Sequence, residues 1–366
     1  MNAPRCPAGI LLTTIYKHLS VRRLCRKHEL VYYGTVTGRH YRSYSSLHPT
    51  SGWKICFFGT DDFALSSLQA LSRNRIPEHQ LVHCVDVVTS SQNSAVGEFS
   101  NEHGLSMETS WPVNIEKDKY DIGVVVSFGH LIPERIITAF KYGVVNVHPS
   151  LLPRWRGAAP IVHTILHGDR LTGVSVTEIL PKRFDIGPVL LQEKYAIPKN
   201  YTSVELRRDL AEIGAKLLMN VLSDFERVQK SKVFQNHDGA THAHKISVNI
   251  SYVDWQNSKV CDVWAKYRAL YSIFDLRSYY KNHIIRLLNI VEPTNEEIVI
   301  LGNVKDIREG TPVFCKTKKI LYVRCKDGWI GCQEVVYKKK MSALAFYNGY
   351  LTKAENAEEI FTSINS

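Results

Sequence analysis

The five residues 122–126, Ile-Gly-Val-Val-Val, constrain the fold more than any other stretch of this chain. No polar side chain interrupts them, so both faces of the strand they form must be covered. That is the place of a strand inside a parallel sheet with helices on either side. The neighbouring segments fit. Residues 53–59 form a short apolar run ending in Gly59-Thr60-Asp61-Asp62, a turn able to cap a helix that carries Leu65, Leu68 and Leu71. Residues 81–88 are a second β-branched run, and 144–147 another, ending in Asn146-Val147-His148-Pro149. Residues 173–179 and 189–196 add two strand candidates with Asp185-Ile186-Gly187 between them. Thr202-Ser203-Val204-Glu205 has the form of a capping box. Behind it Leu206, Leu210, Ile213, Leu217, Val221 and Phe225 recur at three- and four-residue spacing, one apolar stripe for the sheet. Strands alternating with helices predict an α/β domain with a doubly wound, mostly parallel, Rossmann-like sheet. Ligands of such sheets sit at the strands' carboxyl ends, here just after Val126 and Val145.

Beyond residue 230 the pattern changes. Residues 230–249 are polar, rich in His, Gly and Lys and without periodicity, as a linker is. A helical piece around 263–270 precedes strand runs at 284–291, 298–301, 311–315, 320–325 and 329–336, with turns at Lys326-Asp327-Gly328 and near Glu309-Gly310. Short strands with regular turn signals predict a small β-barrel, a fold that often binds nucleic acid. The expected organisation is a leader over 1–50, an α/β domain over 51–230, a linker over 231–250 and a barrel over 251–366.

Charge distinguishes the ends of the chain from its middle. Of 46 Lys and Arg and 35 Asp and Glu, residues 1–50 hold 8 and 1, residues 51–245 hold 21 and 21, and the remainder 17 and 13. A leader rich in Arg, Ser, Thr and Tyr, acid-poor and without a secretory apolar core, has the composition of an organellar transit peptide, and the mitochondrial matrix is the expected destination. A basic arm that touches RNA is the alternative. The tail's small excess is a modest pointer to a polyanion. No apolar stretch approaches the roughly 18–20 residues of a membrane span. The 8 cysteines show no C-x-x-C pair and no His partner at metal spacing, so neither a metal site nor a disulfide frame is expected.

The densest constellation is Asn146-Val147-His148-Pro149-Ser150-Leu151-Leu152-Pro153-Arg154-Trp155-Arg156-Gly157. Asn146 and His148 are two apart, so on an extended chain both face one side. Pro149 ends the strand and Pro153 stiffens the loop. An amide beside an imidazole is what acyl transfer to an amine requires. The amide stabilises the oxyanion of a tetrahedral intermediate, and the imidazole moves the proton released by the attacking nitrogen.

This string closely resembles the folate-dependent formyltransferase signature, in which an Asn, a His and a later Asp form the active site. Phe184-Asp185-Ile186-Gly187-Pro188-Val189-Leu190-Leu191-Gln192 resembles the second segment of that family, which places the acid at Asp185. The resemblance extends along nearly the whole chain after the leader. Residues 55–64, Ile-Cys-Phe-Phe-Gly-Thr-Asp-Asp-Phe-Ala, are similar to the opening strand and turn of the methionyl-tRNA formyltransferases, and Lys245-Ile246-Ser247 with Trp255 to their inter-domain junction. Asp327-Gly328-Trp329-Ile330-Gly331, Lys340-Met341-Ser342-Ala343 and Phe346-Tyr347-Asn348-Gly349 are similar to their C-terminal barrel, and the leader fits the mitochondrial branch.

The resemblance implies formyl transfer from 10-formyltetrahydrofolate to the α-amine of initiator methionyl-tRNA, without metal, by a monomer. It implies Asn146, His148 and Asp185 as catalytic residues. It places folate against Ser150, Leu151, Leu152 and Pro153 and against the loop that holds Phe128, His130, Leu131 and Ile132. Phe63, Arg154 and Arg156 fall where the aminoacylated tRNA end approaches. One departure stands out: the loop after the second strand is short, and no Lys or Arg occurs between Leu81 and Glu116. Phosphate contacts are therefore assigned to the tail, to Lys316, Lys318, Lys319, Arg324, Lys326, Lys338, Lys339 and Lys340, although a lysine run can equally be a solvated strand edge. The same three catalytic residues would serve a formyltransferase acting on a ribonucleotide amine, or a hydrolase passing formyl to water; a catalytically silent RNA-binding protein is the reading from another class.

Overall fold

The computed structural model describes residues 49, 51–75, 81–302, 307–352 and 360–363. All but Pro49 of the expected leader lies outside the described residues. Leu47–Ser366 form one compact unit.

The chain first lays down β1 (Trp53–Gly59), α1 (Asp62–Arg73), β2 (Val82–Val88), α2 (Ala95–Glu102), β3 (Met107–Glu108), β4 (Ile122–Val126), α3 (Glu134–Ile137) and β5 (Val144–His148). Then follow β6 (Arg156–Gly157), α4 (Pro160–Leu166), β7 (Leu171–Glu178), β8 (Val189–Ala196), α5 (Ser203–Ser223) and α6 (Phe225–Lys230). One 7-stranded sheet runs β3-β2-β1-β4-β5-β7-β8. Its first five strands are parallel and the last two antiparallel, the mostly parallel sheet that the strand and helix alternation predicts.

β4 is buried along all 5 residues, as its unbroken apolar sequence requires. Side chains of this kind contribute roughly 1.5–3 kcal/mol each on burial. Asp61 caps α1 by accepting from the Ala64 amide, so the turn after β1 ends the strand and starts the helix in three residues. α5 opens on the complete capping box of Thr202 and Glu205 and buries Leu206, Leu210, Leu217 and Val221. Trp53, fully buried, meets Tyr142 and Phe225 edge-on and donates its indole N–H to the Leu222 carbonyl at 3.0 Å.

The segment expected as a linker contains β9 (His242–Ala243), which pairs in parallel with β6. Next come α7 (Val260–Leu270), β10 (Leu276–Tyr280), β11 (His283–Val291), α8 (Asn295–Gly302), β12 (Pro312–Cys315), β13 (Ile320–Arg324), β14 (Trp329–Tyr337), β15 (Lys339–Ser342) and α9 (Ala343–Phe346). The strands form an antiparallel sheet ordered β10-β11-β14-β13-β12, with β15 on β14. Its two edges are joined through the chain's end: Thr362 exchanges both backbone hydrogen bonds with Tyr279 of β10, and the Phe361 amide donates to Gly310 just ahead of β12. Phe361 is buried among Trp255, Tyr280 and Phe346, so the sheet curls around an aromatic core.

One expected strand is a helix. Residues 298–301 belong to α8 because Thr294 and Glu297 cap each other: the Glu297 carboxylate accepts the Thr294 amide at 2.7 Å and its own amide donates to the Thr294 hydroxyl. That start signal overrides the β-branched run behind it. Five strands carry no signal read in the sequence: the two-residue β3, β6 and β9, together with β10 and the lysine-bearing β15.

Candidate active site

Where β5 ends, its register sets the chemistry. Asn146 pairs with Thr177 and His148 with Ser175 of β7, so both side chains emerge on one face of the sheet. They meet one carboxylate. Asn146 Nδ2 donates to Asp185 Oδ1 at 3.0 Å, and His148 Nδ1 lies 3.6 Å from the same oxygen. The Gly157 amide donates to Asp185 Oδ2 at 2.9 Å. On the far side of the ring His148 Nε2 is 2.8 Å from the Trp155 carbonyl. A carbonyl only accepts, so Nε2 carries hydrogen and Nδ1, facing Asp185, is where the ring gains or loses a proton. His148 and Asp185 side chains are almost wholly enclosed, at 6% and 9% exposure.

Two backbone features aim these groups. Asp185 sits at φ +53°, a left-handed conformation that turns its carboxylate back under β5. Gly157 sits at φ +118°, and a Cβ there would stand 2.7 Å from the Ala243 carbonyl; only glycine brings that amide to Asp185.

Above this trio opens a cavity of about 550 Å³ at the carboxyl ends of β4 and β5. Asn146, His148 and Asp185 line it, as do Phe63, Phe128, His130, Leu131 and Ile132. The turn after β4 uses positive φ at Ser127 and Gly129, and its Phe128 ring stands edge-on to Trp111 and Phe58. His130 stacks on Trp111. The structure thus brings together the three expected catalytic residues, the expected aromatic loop and Phe63.

The stretch 150–156 is another matter. Ser150, Leu151, Leu152 and Pro153 do not line the cavity. Ser150 donates to the Arg154 carbonyl at 2.6 Å, Leu152 donates to Ser175 Oγ at 3.1 Å, and Gln192 holds the Leu152 carbonyl at 2.9 Å. Both arginines have partners within the fold, although the Arg154 side chain keeps 42% exposure. Arg154 grips Asp169 with two nitrogens at 2.7 and 2.5 Å while lying over the Trp155 ring, whose indole N–H donates to the same carboxylate. Arg156, 5% exposed, donates twice to Gln235 Oε1, at 3.0 and 2.7 Å. A guanidinium so occupied offers no free edge to a phosphate. Burial lowers its pKa somewhat, with Asp185 opposing.

Residues 53–222 match the family described as formyl transferase, and residues 245–351 match the formyl transferase C-terminal domain. The mitochondrial methionyl-tRNA formyltransferase of Homo sapiens is 40% identical over 306 residues, covering 82% of this chain and 78% of that protein. The protein of the same description from Bos taurus is 40% identical over 307 residues, 82% and 78% of the two chains. The chain belongs to the methionyl-tRNA formyltransferase family. A bacterial methionyl-tRNA formyltransferase from Caldicellulosiruptor saccharolyticus is 32% identical over 321 residues, 82% of this chain and 97% of that one. Among solved structures, WlaRD, a sugar 3N-formyl transferase, superposes with a TM-score of 0.56 at 18% identity, covering 79% of this chain and 98% of that one. HypX from Aquifex aeolicus with tetrahydrofolic acid gives 0.54 at 18% identity, covering 83% of this chain and 48% of that one, about half its length. At this identity the likeness is one of fold.

In this formyltransferase the cavity also takes residues the sequence did not single out for it. Arg207 of α5 pairs with Asp61 at 2.8 Å across its wall, and Lys245, Ile246 and Ile273 reach it from beyond residue 240. Lys245 and Ile246 come from the segment expected as a linker and Ile273 from the part expected as a barrel, so both contribute to the wall. Lys316, Lys318 and Lys319 lie exposed in the β12–β13 turn, and Lys338, Lys339 and Lys340 lie exposed at the β14–β15 turn; none lines the cavity. Lys340 pairs with Glu334 at 2.9 Å. Arg324 lies over the Trp329 ring. Among the described residues no group of three or more His, Cys, Asp or Glu could hold a metal, and no helix is long and apolar enough to cross a membrane.

Proposed function

We propose that this formyltransferase moves the formyl group of 10-formyltetrahydrofolate to the free α-amine of methionine esterified to initiator tRNA, in the mitochondrial matrix and as a monomer. Relatives named as mitochondrial enzymes at 40% identity support the acceptor and the compartment. The observation that carries the chemistry is the Asp185 carboxylate, which gathers Asn146, Gly157 and His148 on the floor of the cavity.

Asn146 has two amide hydrogens. One is spent on Asp185, which fixes the side chain, and the other remains for the oxygen that gains negative charge as the amine attacks. His148 takes the proton released by that amine at Nδ1, and Asp185 faces the charge so formed. The amine attacks in its neutral form, so the rate falls at acid pH. The volume of about 550 Å³ is that of a small-molecule site, and its wall of Phe128, His130, Leu131 and Ile132 suits a flat pterin ring. The folate supplies the formyl carbon there.

Phe63 and the outer cavity would receive the aminoacyl end of the tRNA. Lys316, Lys318, Lys319, Lys338, Lys339 and Lys340, on turns of the C-terminal sheet, would meet its phosphates. On this reading residues 51–230 are the catalytic domain, 251–366 the tRNA-binding domain, and 231–250 join the two. Ser150, Leu151, Leu152 and Pro153 support the site from behind. The test is formyl transfer from 10-formyltetrahydrofolate to three acceptors: methionyl-tRNA, the same tRNA charged with another amino acid, and glycinamide ribonucleotide. Transfer to methionyl-tRNA alone is expected. Transfer to the ribonucleotide, or formate release without acceptor, would overturn the tRNA reading and leave the folate site standing.

A further inference from the structure

We propose that Gln235, in the aperiodic segment between the two domains, is a positioning residue that fixes Asp185 and with it the hydrogen-bonded trio; the proposal rests on the catalytic roles assigned to Asn146, His148 and Asp185. Four contacts carry it. The Gln235 Nε2 amide donates to the Asp185 carbonyl at 2.9 Å and to the Gly187 carbonyl at 2.7 Å. Its Oε1 accepts from Arg156 Nε and Nη2 at 3.0 and 2.7 Å. Two donors meet two acceptors on one side and one oxygen meets two donors on the other, so every hydrogen-bonding position of the amide is used and its orientation admits no flip.

What Gln235 joins is the reason it matters. Asp185 holds φ +53°, a conformation that costs a non-glycine residue free energy and persists only where surrounding contacts enforce it. The Asp185 and Gly187 carbonyls of that turn are held by one side chain. The same side chain anchors Arg156, which neighbours Trp155, whose carbonyl accepts from His148 Nε2, and Gly157, whose amide donates to Asp185 Oδ2. Gln235 therefore links the loop that carries the acid to the loop that orients the imidazole. Arg156 is tied further into the same segment: Nη1 lies 3.2 Å from His237 Nδ1, and its backbone amide donates to Thr241. The anchor is an amide for a physical reason. A carboxylate would also hold Arg156 but would set its oxygens against the two carbonyls of the Asp185 turn.

The test uses the full chain and the variants Gln235→Ala, Gln235→Glu, Asp185→Ala and the Asp185→Ala/Gln235→Ala double variant. A misplacement of the acid by an ångström costs on the order of 10–100-fold. Gln235→Ala and Gln235→Glu are accordingly expected to lower kcat by about that factor, with KM for both substrates within about 2-fold. In the Asp185→Ala background, Gln235→Ala is expected to change kcat less than about 2-fold, because the group it positions is already gone. Hydrogen exchange of the Gly157 amide is expected to be as fast in Gln235→Ala as in Asp185→Ala. Near-normal kcat in Gln235→Glu would show that only the Arg156 contact matters and overturn the proposal. Additive losses in the double variant, or a Gly157 amide still protected in Gln235→Ala, would overturn it too. If Gln235→Ala does not fold, Gln235→Glu carries both readouts. If the unmodified chain transfers formyl to no acceptor, the catalytic reading falls while the exchange measurement still decides whether Gln235 holds Asp185.

Discussion

Replacing Asp185 by asparagine keeps the shape of the side chain and removes its charge, and the surrounding hydrogen bonds dictate how the site responds. The Gly157 amide at 2.9 Å is a backbone donor that cannot turn, so the new side chain must keep its oxygen there and point its NH₂ toward Asn146. Two NH₂ groups cannot share that 3.0 Å contact. Asn146 must rotate its amide by half a turn and present its carbonyl oxygen. Folding survives this. Two bonds to an ionised acceptor become neutral ones, about 1 kcal/mol each, partly offset because an enclosed carboxylate no longer has to be kept from water. A net loss of about 1–2 kcal/mol is expected, a few degrees in Tm for a unit of this size. Catalysis does not survive it. The rotated amide aims its carbonyl differently and removes the fixed N–H from the reacting oxygen, which alone costs on the order of 10²–10³-fold in kcat. Loss of the charge 3.6 Å from His148 Nδ1 adds to that. Rapid-quench single-turnover transfer of labelled formyl to methionyl-tRNA reads the chemical step free of product release. Turnover of Asp185→Asn within about 5-fold of the unmodified enzyme, in protein with a normal thermal transition, would refute this account of the trio.

Two further outcomes rest on single contacts. Gly157→Ala is expected to lose about 2–3 kcal/mol of stability and most activity, since its Cβ would meet the Ala243 carbonyl at 2.7 Å at φ +118°; calorimetry and the transfer assay check both. Hydrogen bonds from the Thr202 amide and hydroxyl hold the Glu205 carboxyl below the usual carboxylate range, so this cap is fully present above about pH 4.3 and lost as pH falls through the depressed value. Glu205→Ala is therefore expected to lower stability by about 1 kcal/mol at pH 7, with the gap narrowing toward pH 3 in thermal scans.

Much of the fold was readable because burial leaves a mark on sequence. β4 is apolar throughout and is buried throughout; the helix behind Thr202 begins and packs where its cap and stripe require. The errors have equally local causes. Residues 298–301 look like a strand when judged on side-chain type, but Thr294 and Glu297 start a helix ahead of them. β15 was hidden because Lys339, Lys340, Met341 and Ser342 carry no alternation of apolar and polar positions; pairing with β14, not a buried face, holds that strand.

The site divides along the same line. Asn146 and His148 could be paired from sequence because a strand's period of two puts them on one face, while Asp185 came from family resemblance alone, since no local rule connects residues 39 positions apart. Arg154 and Arg156 show a related limit. A sequence offers no sign of whether a cation in a loop faces solvent or has found a partner, and here Asp169 and Gln235 supply those partners. Gln235 itself is the harder case. It lies in a stretch whose polar, aperiodic composition reads as a linker, and such composition reports only that the stretch buries little apolar surface. It is silent about hydrogen bonds, and those are what residues 235–243 contribute: Gln235 to Asp185 and Gly187, Thr241 to the Trp155 and Arg156 amides, and Ala243 to the Ala159 amide. A joining segment that ties down both catalytic loops makes the active site dependent on the chain beyond the sheet. Changes there should be read in catalysis before they are read in stability.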